Sequence, residues 1–136
     1  MKFLFILDPL ANLKAYKDTS LAIMREAAAS GHILYVCEQH DIVLRFDTIR
    51  IIAKCFEFSD SPTGYLLSDA SELTATYFDA ILMRKDPPFD NEYLYSTYLL
   101  EFAANQGARV LNNPSAVRSW NEKLSIARFS QFAREF

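Results

Sequence analysis

The stretch RKDPPFD at residues 84–90 holds the side chains best suited to chemistry in this sequence. Its two adjacent prolines each fix the backbone φ angle near about −65°, and a residue before proline is biased toward extended backbone, so the stretch is expected to be stiff. A stiff loop can present Arg84 as a preorganised bidentate clamp for a carboxylate or phosphate. The same charges can instead form a local ion-pair network that only shapes the loop, and both interpretations stay open at this point.

A second group of polar residues follows the apolar run Phe3–Leu7, in the loop that contains Asp8 and Asn12. Ligands of open α/β sheets bind beyond the carboxyl ends of the strands. We therefore expect Asp8, Asn12 and Ser20 to line the same cleft as Arg84. Strand-end and helix-capping roles explain these three residues equally well.

Other chemistries find little support. The chain has only three glycines and contains neither a G-x-G-x-x-G turn nor a P-loop, which disfavours dinucleotide oxidoreductases. Cys37 and His40 have C-x-x-H spacing, but no second ligand pair follows, so no metal site is predicted. Cys37 and Cys55 both lie in apolar runs and are expected to be buried, reduced thiols, with a disulfide between them as the alternative.

The elements that must position these side chains alternate along the chain. Continuous apolar runs predict buried strands, and Ile42–Phe46 with Ile49–Phe58 predicts a hairpin. The capping box at Ser119–Glu122 predicts a last helix. The segment Leu66–Thr76 is ambiguous between short helix and coil. The other predicted elements are strands at Phe3–Leu7, Ile33–Cys37, Ala80–Met83 and Arg109–Leu111, and helices from Asp18, Thr19 or Ser20 to Gly31 and from Asp90 to Gly107.

This order predicts a three-layer α/β fold with a mainly parallel sheet and an inserted β-hairpin. The long helix is expected to bury Tyr95, Leu99, Phe102 and Ala103. The last helix is expected to carry an aromatic stripe that packs against a following domain, with Phe129, Phe132, Ala133 and Phe136 on one side.

Length and charge narrow the function classes. A chain of 136 residues is expected to form one domain with its own core. The net charge of −3 provides no bulk field that would attract nucleic acid or an anionic membrane. The N-terminal apolar run is too short for a secretory signal or a membrane span. A cytoplasmic protein is the expectation.

Four segments resemble the N-terminal domain of prokaryotic-type glutathione synthetases: MRKDPPFD at 83–90, DPLANL at 8–13, KDTS at 17–20 and NNPSAVRSWNEKL at 112–124. They occur in the family's order, and the resemblance is weakest over 41–76. It implies a Rossmann-like pre-ATP-grasp domain at residues 1–120, with residues 121–136 beginning the linker to an ATP-grasp region.

The resemblance also implies an activity, namely ATP- and Mg²⁺-dependent joining of γ-glutamylcysteine to glycine through an acyl phosphate. It implies that Lys123 contacts an ATP phosphate and that Arg84, Asp8, Asn12 and Ser20 lie on the substrate side. Asp86 and Asp90 would shape the loop and cap the helix, and Arg118 would brace the linker. No catalytic or metal-binding residue is assigned within the chain. The parent enzyme is expected to be a homo-oligomer.

The family's second phosphate-binding lysine, glycine-rich flap and Mg²⁺ ligands match nothing in these 136 residues. We therefore expect the chain alone to be inactive and to hold no cofactor tightly, since phosphoryl transfer depends on those parts. The alternative is a stand-alone, non-catalytic binding or oligomerisation module derived from the same domain. An unrelated α/β nucleotide-binding enzyme ranks last, because it would need a phosphate loop.

Overall fold

The computed structural model describes residues 1–132, which fold into a mixed β-sheet with helices on both faces. The strands are β1 (Lys2–Ile6), β2 (Ile33–Cys37), β3 (Ile42–Arg45), β4 (Thr48–Phe58), β5 (Tyr65–Leu67), β6 (Ser71–Thr74), β7 (Ala80–Met83) and β8 (Val110–Leu111). The helices are α1 (Thr19–Ala29), α2 (Asn91–Asn105) and α3 (Pro114–Ser119), with 3₁₀ segments at Leu10–Asn12, Gln39–Asp41, Ala75–Tyr77 and Lys123–Phe132.

Strand β1 lies at the centre of the sheet, in parallel register with β2 on one side and β7 on the other. Its side chains alternate between two cores. Leu4 and Ile6 pack in the core that α2 covers, whereas Phe5 packs in the core that α1 covers. This burial on both faces explains why β1 is a continuous apolar run, and it confirms the three-layer α/β architecture.

The predicted helix boundaries are confirmed at the caps. The Asp18 carboxylate accepts a hydrogen bond from the Leu21 amide at 2.9 Å, and Asp90 caps α2 in the same way through the Tyr93 amide at 2.9 Å. Gly107 follows the end of α2 with φ of 105°, a left-handed conformation that favours glycine. Interactions between residues close together in the sequence therefore determine where these helices begin and end.

The prediction of a mainly parallel sheet is confirmed only for β2, β1, β7 and β8. Strand β4 runs antiparallel to β2, and it pairs antiparallel with β3, β5 and β6 as well. The predicted hairpin is confirmed, with Phe46 and Asp47 between β3 and β4. The ambiguous segment Leu66–Thr76 is largely extended, because β5 and β6 complete the hydrogen bonding of the long strand β4.

The predicted buried face of α2 was wrong in part. The helix buries Ser96, Thr97, Leu100 and Ala103, while Tyr95 and Phe102 are exposed. Two hydroxyl groups can lie on the core face because the helix itself satisfies them. Ser96 Oγ donates to the Glu92 carbonyl at 2.9 Å, and Thr97 Oγ1 donates to the Leu94 carbonyl at 2.6 Å.

The last helix also differs from the prediction. Ser119 ends α3 instead of opening a new helix, and Lys123–Phe132 forms 3₁₀ turns with a kink at Phe129. Phe129 and Phe132 are exposed. Ala133 and Phe136 of the predicted stripe lie outside the described residues. Within residues 1–132, no helix is both long and apolar enough to cross a membrane.

Candidate substrate site at the β1 and β7 strand ends

A cavity of about 530 Å³ opens at the carboxyl ends of the neighbouring parallel strands β1 and β7. Its position is a switch point of the sheet, because α1 covers one face and α2 covers the other. All four residues predicted for the substrate side line it, although they come from three separate segments. The lining residues are Asp8, Asn12, Leu13, Lys14, Lys17, Asp18, Thr19, Ser20, Arg84, Asp86 and Pro87.

The loop after β7 is fastened to the end of β1 by Asp8. The Asp8 carboxylate accepts a hydrogen bond from the Asp86 amide at 2.9 Å and lies 3.4 Å from the Lys85 ammonium. Both partners of this ion pair are at most partly exposed. Asp8 therefore lines the cavity with its carboxylate already engaged, and the ion-pair interpretation of the loop applies to Lys85 and Asp8.

Arg84 is held differently. Its Nε donates to Ser20 Oγ at 3.0 Å, and Ser20 is buried in the first turn of α1. Among the described residues no salt bridge involves Arg84, and its terminal guanidinium nitrogens have no hydrogen-bond partner. One edge of the guanidinium is thus fixed, and the terminal nitrogens remain available for a bidentate anion.

Two further cations, Lys14 and Lys17, line the cavity and were not singled out from the sequence. Both are exposed and lie between the end of β1 and the cap of α1. Their position in the sequence could have identified these two lysines as candidate site residues. A loop that leaves the carboxyl end of a central parallel strand faces the ligand crevice, so cations in it are candidates whatever motif surrounds them.

Tyr93 supports the loop from its other side and was also missed. Its ring centroid lies 5.0 Å from that of Phe89, and its hydroxyl donates to the Lys85 carbonyl at 3.5 Å. Burial raises the pKa of Tyr93, with Asp8 and Asp86 adding to the rise and Arg84 opposing it. The phenol consequently senses the charges that surround the cavity.

A second cavity, of about 490 Å³, lies next to the first and shares Pro87 with it. Aromatic rings and two amide side chains form most of its wall. The lining residues are Pro87, Phe89, Tyr93, Asn112, Ala116, Val117, Trp120 and Asn121. It connects the loop after β7 with the start of the C-terminal segment.

Lys123 is not part of either cavity lining. It is exposed at the first residue of the C-terminal 3₁₀ segment, two positions after Asn121. The structure therefore brings together Asp8, Asn12, Ser20 and Arg84, and leaves Lys123 outside that group. Arg118 joins α3 to α2, because its guanidinium bonds to Thr97 Oγ1 and Glu101 and lies 4.3 Å from the centroid of the Tyr98 ring.

The cysteine expectations hold in part. Cys37 is a buried free thiol, and burial raises its pKa. Cys55 is also free but only half-buried. Within residues 1–132 no group of three or more histidine, cysteine or acidic side chains could hold a metal ion.

Comparison with known proteins identifies the family. The model for "Prokaryotic glutathione synthetase, N-terminal domain" matches residues 1–118. The chain is 49% identical over 133 residues to a glutathione synthetase of Ralstonia nicotianae, covering 97% of this chain and 41% of that protein. It is 48% identical over 136 residues to the glutathione synthetase of Nitrosomonas europaea, covering 97% of this chain and 42% of the relative.

The chain thus spans about two-fifths of the length of the curated relatives it matches. Sequence similarity extends over the segments that build the cavity, from the loop after β1 to the loop after β7. On these grounds the chain belongs to the prokaryotic glutathione synthetase family and contains that family's N-terminal domain.

Proposed function

We propose that this chain is the substrate-side domain of a ligase that joins γ-glutamylcysteine to glycine with ATP, through an acyl phosphate. The relatives named glutathione synthetase support this proposal. So does the convergence of Asp8, Asn12, Ser20 and Arg84 on one polar cavity. We assign the ligation itself to a longer protein, since this chain spans about two-fifths of the length of those relatives.

The observation that carries the proposal is the half-engaged guanidinium of Arg84. Ser20 fixes Nε, which leaves the guanidinium little rotational freedom, and Arg84 lines the cavity with its two terminal nitrogens available to a ligand. A planar fork of this kind matches a carboxylate, and γ-glutamylcysteine carries two. We assign Arg84 to carboxylate binding and Ser20 to orienting Arg84.

The other cavity residues take supporting roles. Asp8 positions the loop through Lys85 and Asp86 instead of contacting the substrate directly. Asn12 is exposed on the cavity wall and can donate to or accept from a peptide substrate. Lys14 and Lys17 add positive potential that attracts the two carboxylates of the dipeptide.

ATP and Mg²⁺ are proposed as cofactors of the longer protein. Lys123 would contact an ATP phosphate there, where a cation stabilises the transferring charge. The described part of this chain does not fit either group by itself. Lys123 lines neither cavity described above, and no cluster of metal-binding side chains occurs in residues 1–132. No step through either cofactor follows from these residues.

The domain boundary is likewise proposed. Residues 1–120 form the N-terminal domain and residues 121–136 begin the linker. Support comes from the family match, which ends at residue 118, and from α3, which ends at Ser119.

Calorimetric titration of γ-glutamylcysteine into the chain tests the site. The wild-type chain is expected to bind, and Arg84→Gln is expected to weaken binding at least about tenfold, since a charge-assisted bidentate contact is lost. Arg109→Gln is the matched control, because Arg109 is exposed on the far side of β7, before β8. Equal affinities for Arg84→Gln and wild type would refute the clamp.

Activity is tested in a fusion of this chain to the unmatched part of the Ralstonia nicotianae relative. There Arg84→Gln is expected to raise KM for γ-glutamylcysteine about tenfold and to change KM for ATP less than twofold. The unfused chain is expected to release no ADP above background when given both substrates, ATP and Mg²⁺. Turnover by the unfused chain would contradict the proposal that this chain alone does not catalyse the ligation.

A further inference from the structure

A third cavity, of about 420 Å³, lies beside the cavity that Arg84 lines (the substrate cavity). Aliphatic side chains from three strands line it, namely Val36 of β2, Ile52 of β4 and Leu67 of β5. Leu67 is exposed to 39%, so the domain leaves part of this apolar lining uncovered. Cavities of about 300–1,000 Å³ with a predominantly apolar lining and a small number of polar groups are typical of small-molecule sites. The third cavity has the size and the lining of such a site.

One 3₁₀ turn, Leu10–Asn12, separates the third cavity from the substrate cavity. Leu10 and Ala11 line the third cavity, whereas Asn12 lines the substrate cavity. Asp8 lines both cavities, with its carboxylate already bound to the loop after β7. The two cavities are therefore adjacent but distinct.

Two opposite charges, Lys54 and Glu38, line the third cavity without pairing with each other. In the part of the chain that the structure describes, no salt bridge involves either side chain. Lys54 lies opposite Val36 in the β2–β4 pair, and Glu38 follows Val36 by two residues with extended backbone, at φ of −102° and ψ of 167°. Their side chains thus project from the same face of the sheet as diagonal neighbours, about 7–8 Å apart. Two charges at this spacing can bind the two ends of a zwitterion.

The Glu38 carboxylate is oriented by the 3₁₀ turn that it begins. Glu38 forms a capping box with Asp41, whose carboxylate accepts a hydrogen bond from the Glu38 amide at 2.9 Å. Asp41 also lies 3.6 Å from His40 Nε2, so this second carboxylate of the lining is already engaged. A carboxylate offers about four acceptor positions, and Glu38 therefore keeps capacity for an ammonium group.

We propose that the third cavity binds a free α-amino acid with an aliphatic side chain. The Lys54 ammonium binds the carboxylate of the ligand, and the Glu38 carboxylate binds its ammonium, through charge-assisted hydrogen bonds. The side chain of the ligand is removed from water by Val36, Ile52 and Leu67. Glycine, the acceptor of the proposed ligation, has no such side chain to cover. The site is therefore independent of the ligase proposal and of the substrate cavity.

Binding of L-leucine, followed by ¹H–¹⁵N NMR titration of the whole chain, tests the site. The amide signals of Val36, Lys54 and Leu67 are expected to shift with a dissociation constant on the order of 1 mM or below. Three analogues each lack one part of leucine: glycine lacks the side chain, 4-methylpentanoate the ammonium and 3-methylbutylamine the carboxylate. Each is expected to bind at least about tenfold more weakly. The absence of a saturable shift with leucine, or equal affinity for all four compounds, would overturn the proposal.

Two variants distinguish the ion pairs from general damage to the fold. Lys54→Gln is expected to weaken leucine binding about tenfold and to leave the binding of 3-methylbutylamine, which has no carboxylate, unchanged. Glu38→Gln is expected to weaken leucine binding to a similar extent and to leave the binding of 4-methylpentanoate unchanged. Arg50→Gln is the matched control, because Arg50 is a cation of the same strand as Lys54 and does not line the third cavity. An equal loss of leucine affinity in Arg50→Gln and Lys54→Gln would refute the carboxylate contact.

Competition separates the third cavity from the substrate cavity. Arg84→Gln and a saturating concentration of γ-glutamylcysteine are each expected to leave leucine bound, since Arg84 lines the substrate cavity and not the third cavity. Displacement of leucine by the dipeptide, or loss of leucine binding in Arg84→Gln, would place the amino acid in the substrate cavity and overturn the proposal. The leucine titration does not require binding of the dipeptide, so a failure of the proposed ligase function would leave its outcome unchanged.

Discussion

The loop at residues 84–90 and the segment at residues 119–132 each carry a cation predicted to contact a ligand, yet the domain holds them very differently. The loop is bound to the end of β1 through Asp8 and to the start of α1 through Ser20. The side-chain contacts described for the segment stay within it, such as Trp120 against Phe129 with centroids 5.8 Å apart. The position of the Arg84 side chain is thus fixed by contacts with distant parts of the chain. No such side-chain contact is described for Lys123.

The largest effect is expected from Asp8→Ala, which removes the two side-chain contacts that hold the loop at the end of β1 and keeps only the backbone hydrogen bond from Arg84 to Ile6. The Asp86 amide loses its acceptor and the partly buried Lys85 ammonium loses its counterion, so the free energy of unfolding should fall by about 2 kcal/mol. Urea denaturation measures the change. Asp60→Ala, at an exposed loop position, is the control and should stay within about 0.5 kcal/mol. A similar loss in both variants would mean that Asp8 does not fasten the loop.

A smaller effect is expected from Arg118→Ala, which removes the contacts of the Arg118 side chain with α2. The variant loses hydrogen bonds to Thr97 and Glu101 and the stacking on Tyr98, at a cost of about 1 kcal/mol because the site is partly open to solvent. Hydrogen exchange should accelerate in α3 and not in β1. Lys123→Ala, on the exposed segment, should change stability by less than about 0.5 kcal/mol. A larger loss of stability from Lys123→Ala than from Arg118→Ala would contradict the view that the segment at residues 119–132 is held less firmly.

The smallest effect concerns pH. Burial raises the pKa of Tyr93 above its ordinary value of 10.0, so the folded protein favours the neutral phenol. This contribution to stability is complete below pH 10 and is lost as the pH rises through the raised pKa. NMR of ¹³Cζ-labelled tyrosine should show that the neutral form of Tyr93 still predominates at pH 10. Arg84→Gln should raise the pKa of Tyr93 further, and Asp8→Asn should lower it. An unchanged pKa of Tyr93 in both variants would show that the cavity charges do not influence this phenol.

Much of the fold followed from signals that act over a few residues. The strands Ile33–Cys37 and Ala80–Met83 were predicted with their observed bounds, since each is a continuous apolar run. Asp18 and Asp90 were predicted to cap helices, because capping involves only the next three residues. The convergence of Asp8 and Arg84 followed from one topological rule about parallel strands.

The features that could not be predicted from the sequence depend on residues far apart along the chain. Whether Arg84 or Lys85 forms the ion pair is settled by Asp8, which lies 78 residues before Asp86 along the chain. The buried face of α2 could not be read from hydrophobicity, since Ser96 and Thr97 are buried while Tyr95 is exposed. The extended conformation of β5 and β6 arises only because β4 offers unpaired edges to both.

The length of β4 has a consequence for how this domain can vary. Its odd-numbered residues Ile49 and Ile51 enter the core beneath α2, and its even-numbered Phe56 enters the core beneath α1. Deleting or inserting one residue within β4 would exchange the two sets of side chains and disrupt both cores at once. Length changes among homologous chains should therefore fall at the exposed tip beside Phe46 or in the loop at residues 59–64, and spare the strand between them.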